Sequence, residues 1–179
     1  MAPSQYSTDS MGTWKAQRTL LIVGEGRHEE AFLKHVKQIY APRGCGLVVT
    51  IKNARGKGAK HVIDWTIRQI ANIDYDEVAV LLDTDTDWSP SVAKIARQKK
   101  IHVLASDPCF DAVMLRLLGV RPDADAKNMK KALAPYLNHA PAEQESYAEH
   151  FGKTCLEAGR GSESTINELL SLLGVTLQA

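Results

Sequence analysis

The sequence has little of what usually announces a functional class. Cysteine occurs three times, at Cys45, Cys109 and Cys155, an odd number at wide spacing that forms neither a disulfide framework nor a metal-ligand motif. Such thiols read as buried or incidental groups of a reducing compartment. Neither sign of charge is in excess: Lys and Arg number 22, Asp and Glu 21, and the net charge is +1. No global field draws the chain to nucleic acid, so any such binding is local. No apolar run approaches the roughly 18 residues of a membrane span. Residues 1–16 are polar and lack the apolar centre of a signal peptide. They read as a mobile tail, and the cytoplasm as the compartment. Internal repeats are absent too, and 44% hydrophobic with 24% charged residues is the composition of an ordinary globular domain.

What is present centres on Val78-Ala79-Val80-Leu81-Leu82-Asp83-Thr84-Asp85-Thr86-Asp87. A short apolar run of this kind suits a strand buried on both faces of a parallel sheet, and ligands collect outside the carboxyl ends of such strands. If the extended conformation persists, Asp83 and Asp85 point the same way, roughly 7 Å apart. At an effective dielectric of about 20 they repel by roughly 2 kcal/mol. A hard cation such as Mg²⁺ would remove that penalty. The alternative is a turn in which each Asp bonds nearby backbone. An EF-hand loop is excluded, because its sixth and twelfth positions would be Trp88 and Lys94 rather than Gly and Glu.

Around this stretch the chain alternates. Arg18–Gly24 reads as a first buried strand, followed at Glu25-Gly26-Arg27-His28-Glu29-Glu30 by a tight turn into a helix. Glu29 and Glu30 fall in that helix's first turn, where the macrodipole favours anions. Residues 46–51 form a second strand, and Lys52, Arg55, Lys57 and Lys60 follow as either a solvated loop or a grip on a phosphate backbone. No Ser or Thr follows Lys57, so the P-loop pattern is incomplete. A helix over 61–73 precedes the acidic stretch. Ser89-Pro90 then caps a third helix, 101–105 is a fourth strand, and Ser106-Asp107-Pro108 reads as the cap of a fourth helix. The histidines show no ligand spacing, although His28 lies near Glu25.

This order predicts an α/β domain over 17–119: a Rossmannoid, four-stranded, mainly parallel sheet with helices on both faces. Beyond Gly119 the pattern is wholly helical, with helices expected over 125–138 and 142–157. A last one is expected from Thr165, where Glu168 would complete a capping box. Residues 120–179 read as a helical extension packed on the sheet domain.

Glu25 after the first strand and Asp83-Thr84-Asp85 after the third resemble the Toprim pattern of topoisomerases, primases and small nucleases. Val23-Gly24-Glu25-Gly26-Arg27-His28-Glu29-Glu30-Ala31-Phe32-Leu33 is similar to the "EGxTEExFL" opening of OLD-type and RloB-like members, and Ser106-Asp107-Pro108-Cys109-Phe110-Asp111 to an RloB-like "SNPxFE" segment. Asp107 and Asp111 stand where that subgroup has Asn and Glu, and Val113 and Leu117 where it has Trp and His.

The resemblance implies Mg²⁺- or Mn²⁺-dependent hydrolysis of DNA or RNA, in a defence or restriction setting with an ATPase or restriction-system partner. Asp83 and Asp85 would hold the metal. Glu25 would be general acid or base or a further ligand, and Glu29 either a ligand of a second metal or a group supporting the metal ligands from behind. Asp87 and Asp111 complete the carboxylates considered, and Lys52, Arg55, Lys57 and Lys60 would bind nucleic acid. No tyrosine is placed for a covalent topoisomerase step. Two other readings stand beside the nuclease. Asp83-Thr84-Asp85 also matches the start of haloacid-dehalogenase-like phosphatases, with Asp83 as nucleophile. A non-catalytic module would bind nucleic acid or a partner without cleaving it.

Overall fold

In the computed structural model, residues 18–176 are described; the 1–16 tail expectation lies outside them. The apolar runs become four strands, β1 (Arg18–Gly24), β2 (Leu47–Asn53), β3 (Glu77–Asp83) and β4 (Ile101–Ser106). They form one sheet in the order β2-β1-β3-β4, and every pairing is parallel. The helices α1 (Arg27–Tyr40), α2 (Gly58–Ile70), α3 (Pro90–Gln98) and α4 (Phe110–Leu117) alternate with the strands.

Strand alternation divides the core into two layers. Leu20, Ile22, Ala79, Leu81 and Leu104 pack with Phe32 and Val36 of α1 and Phe110 and Met114 of α4. Leu21, Val23, Val80 and Leu82 face the other way, against Val62 and Ile63 of α2 and Val92 and Ala96 of α3. Each of the larger side chains among these (Val, Leu, Ile, Phe, Met), removed from water, contributes roughly 1.5–3 kcal/mol. The sheet is thus covered on both faces, the condition under which parallel strands read as unbroken apolar runs.

The chain beyond Gly119 thickens the first layer. It forms α5 (Ala126–Leu133), two 3₁₀ turns (Ala134–Tyr136 and Gln144–Tyr147), α6 (Lys153–Gly159) and α7 (Ser164–Leu172). Met129, Tyr147, Phe151, Leu156 and Leu169 join the α1/α4 core. The helix expected over 142–157 is broken. Phe151 turns fully inward, and its carbonyl accepts a hydrogen bond from the buried His35 ring at 2.9 Å, so it is spent outside any helix ladder. The capping box expected at Thr165 does not form, because the Thr165 hydroxyl donates instead to the Ala105 carbonyl of β4 at 2.5 Å. Ser89 caps α3 as expected, accepting from Val92 N. Ser106, expected to cap α4, is the last residue of β4. Among the described residues no helix is long and apolar enough to cross a membrane.

Candidate active site

Strand order reverses direction between β1 and β3: β2 lies outside β1, and β4 outside β3. At such a switch point the flanking connections run to opposite sides and leave a crevice at the carboxyl ends. Glu25 follows β1 and Asp83 ends β3, so the fold sets both at this crevice.

Their carboxylates are held by backbone. Glu25 Oε2 accepts from Asp83 N at 3.1 Å and Oε1 from Gly58 N at 3.2 Å, while the Glu25 main chain bonds Leu81 O and Gly56 N. Glu25 therefore ties β1, β3 and the start of α2 together. Asp83 Oδ1 accepts from Phe110 N at 2.8 Å, which closes the N-terminus of α4. Glu29 is buried, and its Oε2 accepts from Gly26 N at 2.9 Å in the first turn of α1.

The strand ends at Asp83 and the chain bends through 84–87, so the extended Asp83–Asp85 alternation does not continue. The bend is pinned to the turn after β4: Thr84 N donates to Ser106 O and Pro108 O, and the Thr84 hydroxyl to Asp107 Oδ1 at 2.7 Å. Asp85 is exposed and makes no hydrogen bond among the described residues. Asp87 swings across to α2 instead, where Oδ1 accepts from Ala59 N at 2.6 Å and both oxygens approach Lys60 N. Its position is that of a helix cap.

Electrostatics mark Asp83. Burial, followed by the nearby charges of Glu29, Glu25 and Asp85, pushes its carboxyl up to about 8, against the single downward pull of the Phe110 N–H. Burial likewise raises Glu29, with Glu25 and Asp111 adding to the effect. Asp111, in the first turn of α4, is raised by burial and drawn down by His28 and Lys130. These carboxylates disfavour one another's charge, and no cationic side chain among these causes offsets it at Asp83.

A divalent cation suits this donor set chemically. Carboxylate oxygens are hard ligands, and Mg²⁺ is ordinarily held by one or two of them together with water and substrate phosphate. Among the described residues no group of three Asp, Glu, His or Cys side chains could hold a metal ion as it stands. Glu25 and Asp83 accept from backbone N–H groups, and a site of two carboxylates completed by water and substrate phosphate needs no such cage. Ser106 supplies a separate sign. It pairs in register with Asp83 on the same face of the sheet, is fully buried, and its hydroxyl has no hydrogen-bond partner among the described residues. A buried hydroxyl without a partner is costly, so the Ser106 hydroxyl is open to a further group at this edge.

The basic loop divides. Lys52 Nζ donates to Gln69 Oε1 at 2.9 Å and Lys60 Nζ pairs with Asp64 at 2.6 Å, so both are spent locally. Arg55 and Lys57 are exposed, and neither side chain has a partner among the described residues. From Arg55 to Gly58 four successive residues have positive φ, at 64°, 79°, 80° and 84°. For Arg55 and Lys57 this costs roughly 1–2 kcal/mol each. The Glu25 carbonyl and carboxylate hold the run in place through Gly56 N and Gly58 N. The sequence offered no local sign of these restraints, since Glu25, Asp83 and Asp87 each reach a backbone N–H at least 27 residues away.

Compared with protein-family models, curated proteins and solved structures, the chain matches none.

Proposed function

We propose that this protein is a Mg²⁺- or Mn²⁺-dependent phosphodiesterase acting on nucleic acid. The observation that carries the reading is the half-buried Asp83 carboxylate at the sheet's switch point, raised to about 8 by burial and by Glu29, Glu25 and Asp85. A site in which carboxylates repel one another is primed for a cation and for a substrate that brings its own negative oxygens.

In this reading Asp83, through the oxygen that does not cap α4, and the free Asp85 hold the metal. Glu25, fixed from two sides by Gly58 N and Asp83 N, orients the Asp83 backbone and presents its remaining lone pairs to the same space. Glu29 keeps a proton more readily than an ordinary glutamate and is the group to exchange it with the attacking or leaving oxygen. The ion, when bound, supplies Lewis-acid neutralisation of charge on the phosphate. Arg55 and Lys57, unpaired at the rim, meet the phosphodiester backbone.

The capping roles of Asp83, Glu25 and Asp87 favour a second reading, in which the acids serve the fold alone and the domain binds without cleaving. Asp83→Asn separates the two, because the amide oxygen still accepts from Phe110 N but the group can no longer ionise to hold a cation. Labelled oligonucleotides are incubated with Mg²⁺ or Mn²⁺ and with p-nitrophenyl and bis-p-nitrophenyl phosphate in parallel. Diester cleavage lost in Asp83→Asn supports the nuclease. Undiminished cleavage in that variant removes the site, and turnover of the monoester alone points to a phosphatase.

A further inference from the structure

The outer face of α1 carries charge that the acid site does not use. Arg27, Glu30, Lys34 and Lys37 recur at intervals of three and four and so form one stripe along the helix. Adjoining concavities follow that stripe. The first lies between Arg27 and Arg55, beside Gly26. The second runs from Arg27 to Lys34 under Gln144, and the third from Lys34 past Lys37 to Arg43. Successive concavities share lining residues, Arg27 and Glu30 at one junction and Lys34 and Gln144 at the other, so they make one groove. Five cations line it against one carboxylate, Glu30, in a chain whose net charge is only +1. Glu30 is paired with Lys34 at 2.7 Å and bonded to Asn53, so those two charges offset each other and Arg27, Lys37, Arg43 and Arg55 carry the excess.

We infer that this groove is the track for a strand of nucleic acid, leading along α1 to the acids at the switch point. The fourteen residues of α1 span about 21 Å, or about six phosphates at the 3.4 Å rise of a stacked strand. No aromatic side chain lines the three concavities, so bases have no stacking platform and recognition is of the backbone, without sequence preference. The groove starts at Gly26, next to Glu25, which places the track's end at the carboxylates. The inference rests on the nuclease reading for that direction only; the affinity of the groove requires neither metal nor cleavage.

The test is fluorescence anisotropy of the full chain with a fluorescein-labelled 16-nucleotide strand in EDTA, at several salt concentrations. The groove variant is Lys34→Glu/Lys37→Glu/Arg43→Glu. The matched control, Lys94→Glu/Arg97→Glu/Lys99→Glu, changes the same total charge at the exposed side and end of α3 on the opposite layer. The groove variant is expected to bind at least tenfold more weakly, with the salt slope reduced by about 2–3, while the control stays within threefold. The corresponding triple Gln variant, which disturbs folding less, is expected to show an intermediate loss. Equal losses in groove and control variants, or no loss in the groove variant, would overturn the track. So would displacement of the strand by polyglutamate as readily as by unlabelled oligonucleotide. Because the titration excludes metal, its outcome is independent of whether the wild-type protein hydrolyses bis-p-nitrophenyl phosphate with Mn²⁺, which tests the nuclease reading alone.

Discussion

Asp83, the last residue of β3, accepts the Phe110 backbone N–H at 2.8 Å and so closes the N-terminus of a helix that begins 27 residues later. The same carboxylate is the most perturbed point of the proposed metal site. Fold and chemistry therefore compete for one side chain, and substitutions there separate them.

Asp83→Asn is expected to raise stability in metal-free buffer at neutral pH, with Tm up by several degrees, while abolishing cleavage. The amide oxygen keeps the cap, and the cost of taking up a proton on folding, which the buried Asp83 carboxyl incurs at neutral pH, disappears. Asp83→Ala loses the cap as well, which costs about 1 kcal/mol, and is expected to melt below the Asn variant. Thermal unfolding of the three proteins in EDTA gives the order; an Asn variant less stable than Ala would remove the cap from the account.

The pH dependence of stability follows from the same group. Its folded pKa is raised, to about 8, so between the ordinary carboxylate range and 8 the folded state holds a proton that the unfolded chain has released. The stabilisation is complete below the unfolded pKa of about 3.9 and is lost as pH rises through the folded value. Metal-free protein is expected to lose stability steadily from pH 5 to pH 8, and Mg²⁺ to restore it most at the upper end. Urea denaturation across that window checks this against Asp83→Asn, whose curve is expected to be flatter and less responsive to Mg²⁺.

Gly56 and Gly58 sit two residues apart in the left-handed run after β2, and they are expected to respond differently to alanine. At Gly56 an added Cβ meets nothing within 4 Å, so Gly56→Ala pays only for its φ of +79°, about 1 kcal/mol. At Gly58 the Cβ would lie 2.6 Å from Asp87 Oδ1, the atom that caps α2. Gly58→Ala is expected to cost about 2 kcal/mol or more, from φ and lost cap together. In Asp87→Ala the steric part vanishes, so the two glycine substitutions should then cost nearly the same by urea denaturation.

The strand–helix order was legible because its signals are local: unbroken apolar runs for buried strands, and Ser89-Pro90 for the start of α3. The placement of Glu25 and Asp83 at the sheet's carboxyl edge followed from the same runs. What did not show were restraints that cross the chain. Asp87 reads as a third acid of a triplet, yet it is spent on α2. Ser106 reads as a helix cap, yet its hydroxyl is buried beside Asp83 without a partner among the described residues. Lys52 and Lys60 read with Arg55 and Lys57 as one basic loop, but Gln69 and Asp64 remove the first two. The break at Phe151 depends on His35, 116 residues away.

The segment after Gly119 is latched to the sheet layer by Arg116 and Glu163. Arg116 Nε and one terminal nitrogen donate to the two Glu163 oxygens at 2.6 and 2.9 Å, and the other terminal nitrogen donates to Asp107 O at 2.9 Å. Glu163 is only 6% exposed and immediately precedes α7, so removing its partner strands a charge. Arg116→Ala is expected to cost about 3 kcal/mol. Arg116→Lys should rescue little, because an ammonium cannot reproduce the two-pronged bond. Combining Arg116→Ala with Glu163→Gln should recover part of the loss, giving a coupling energy above about 1 kcal/mol in a double-mutant cycle. Hydrogen exchange locates the effect: amides of α7 are expected to lose protection in Arg116→Ala while those of β1 keep theirs. Uniform loss across both would mean that the latch is part of the global core rather than a separate clasp on the helical segment.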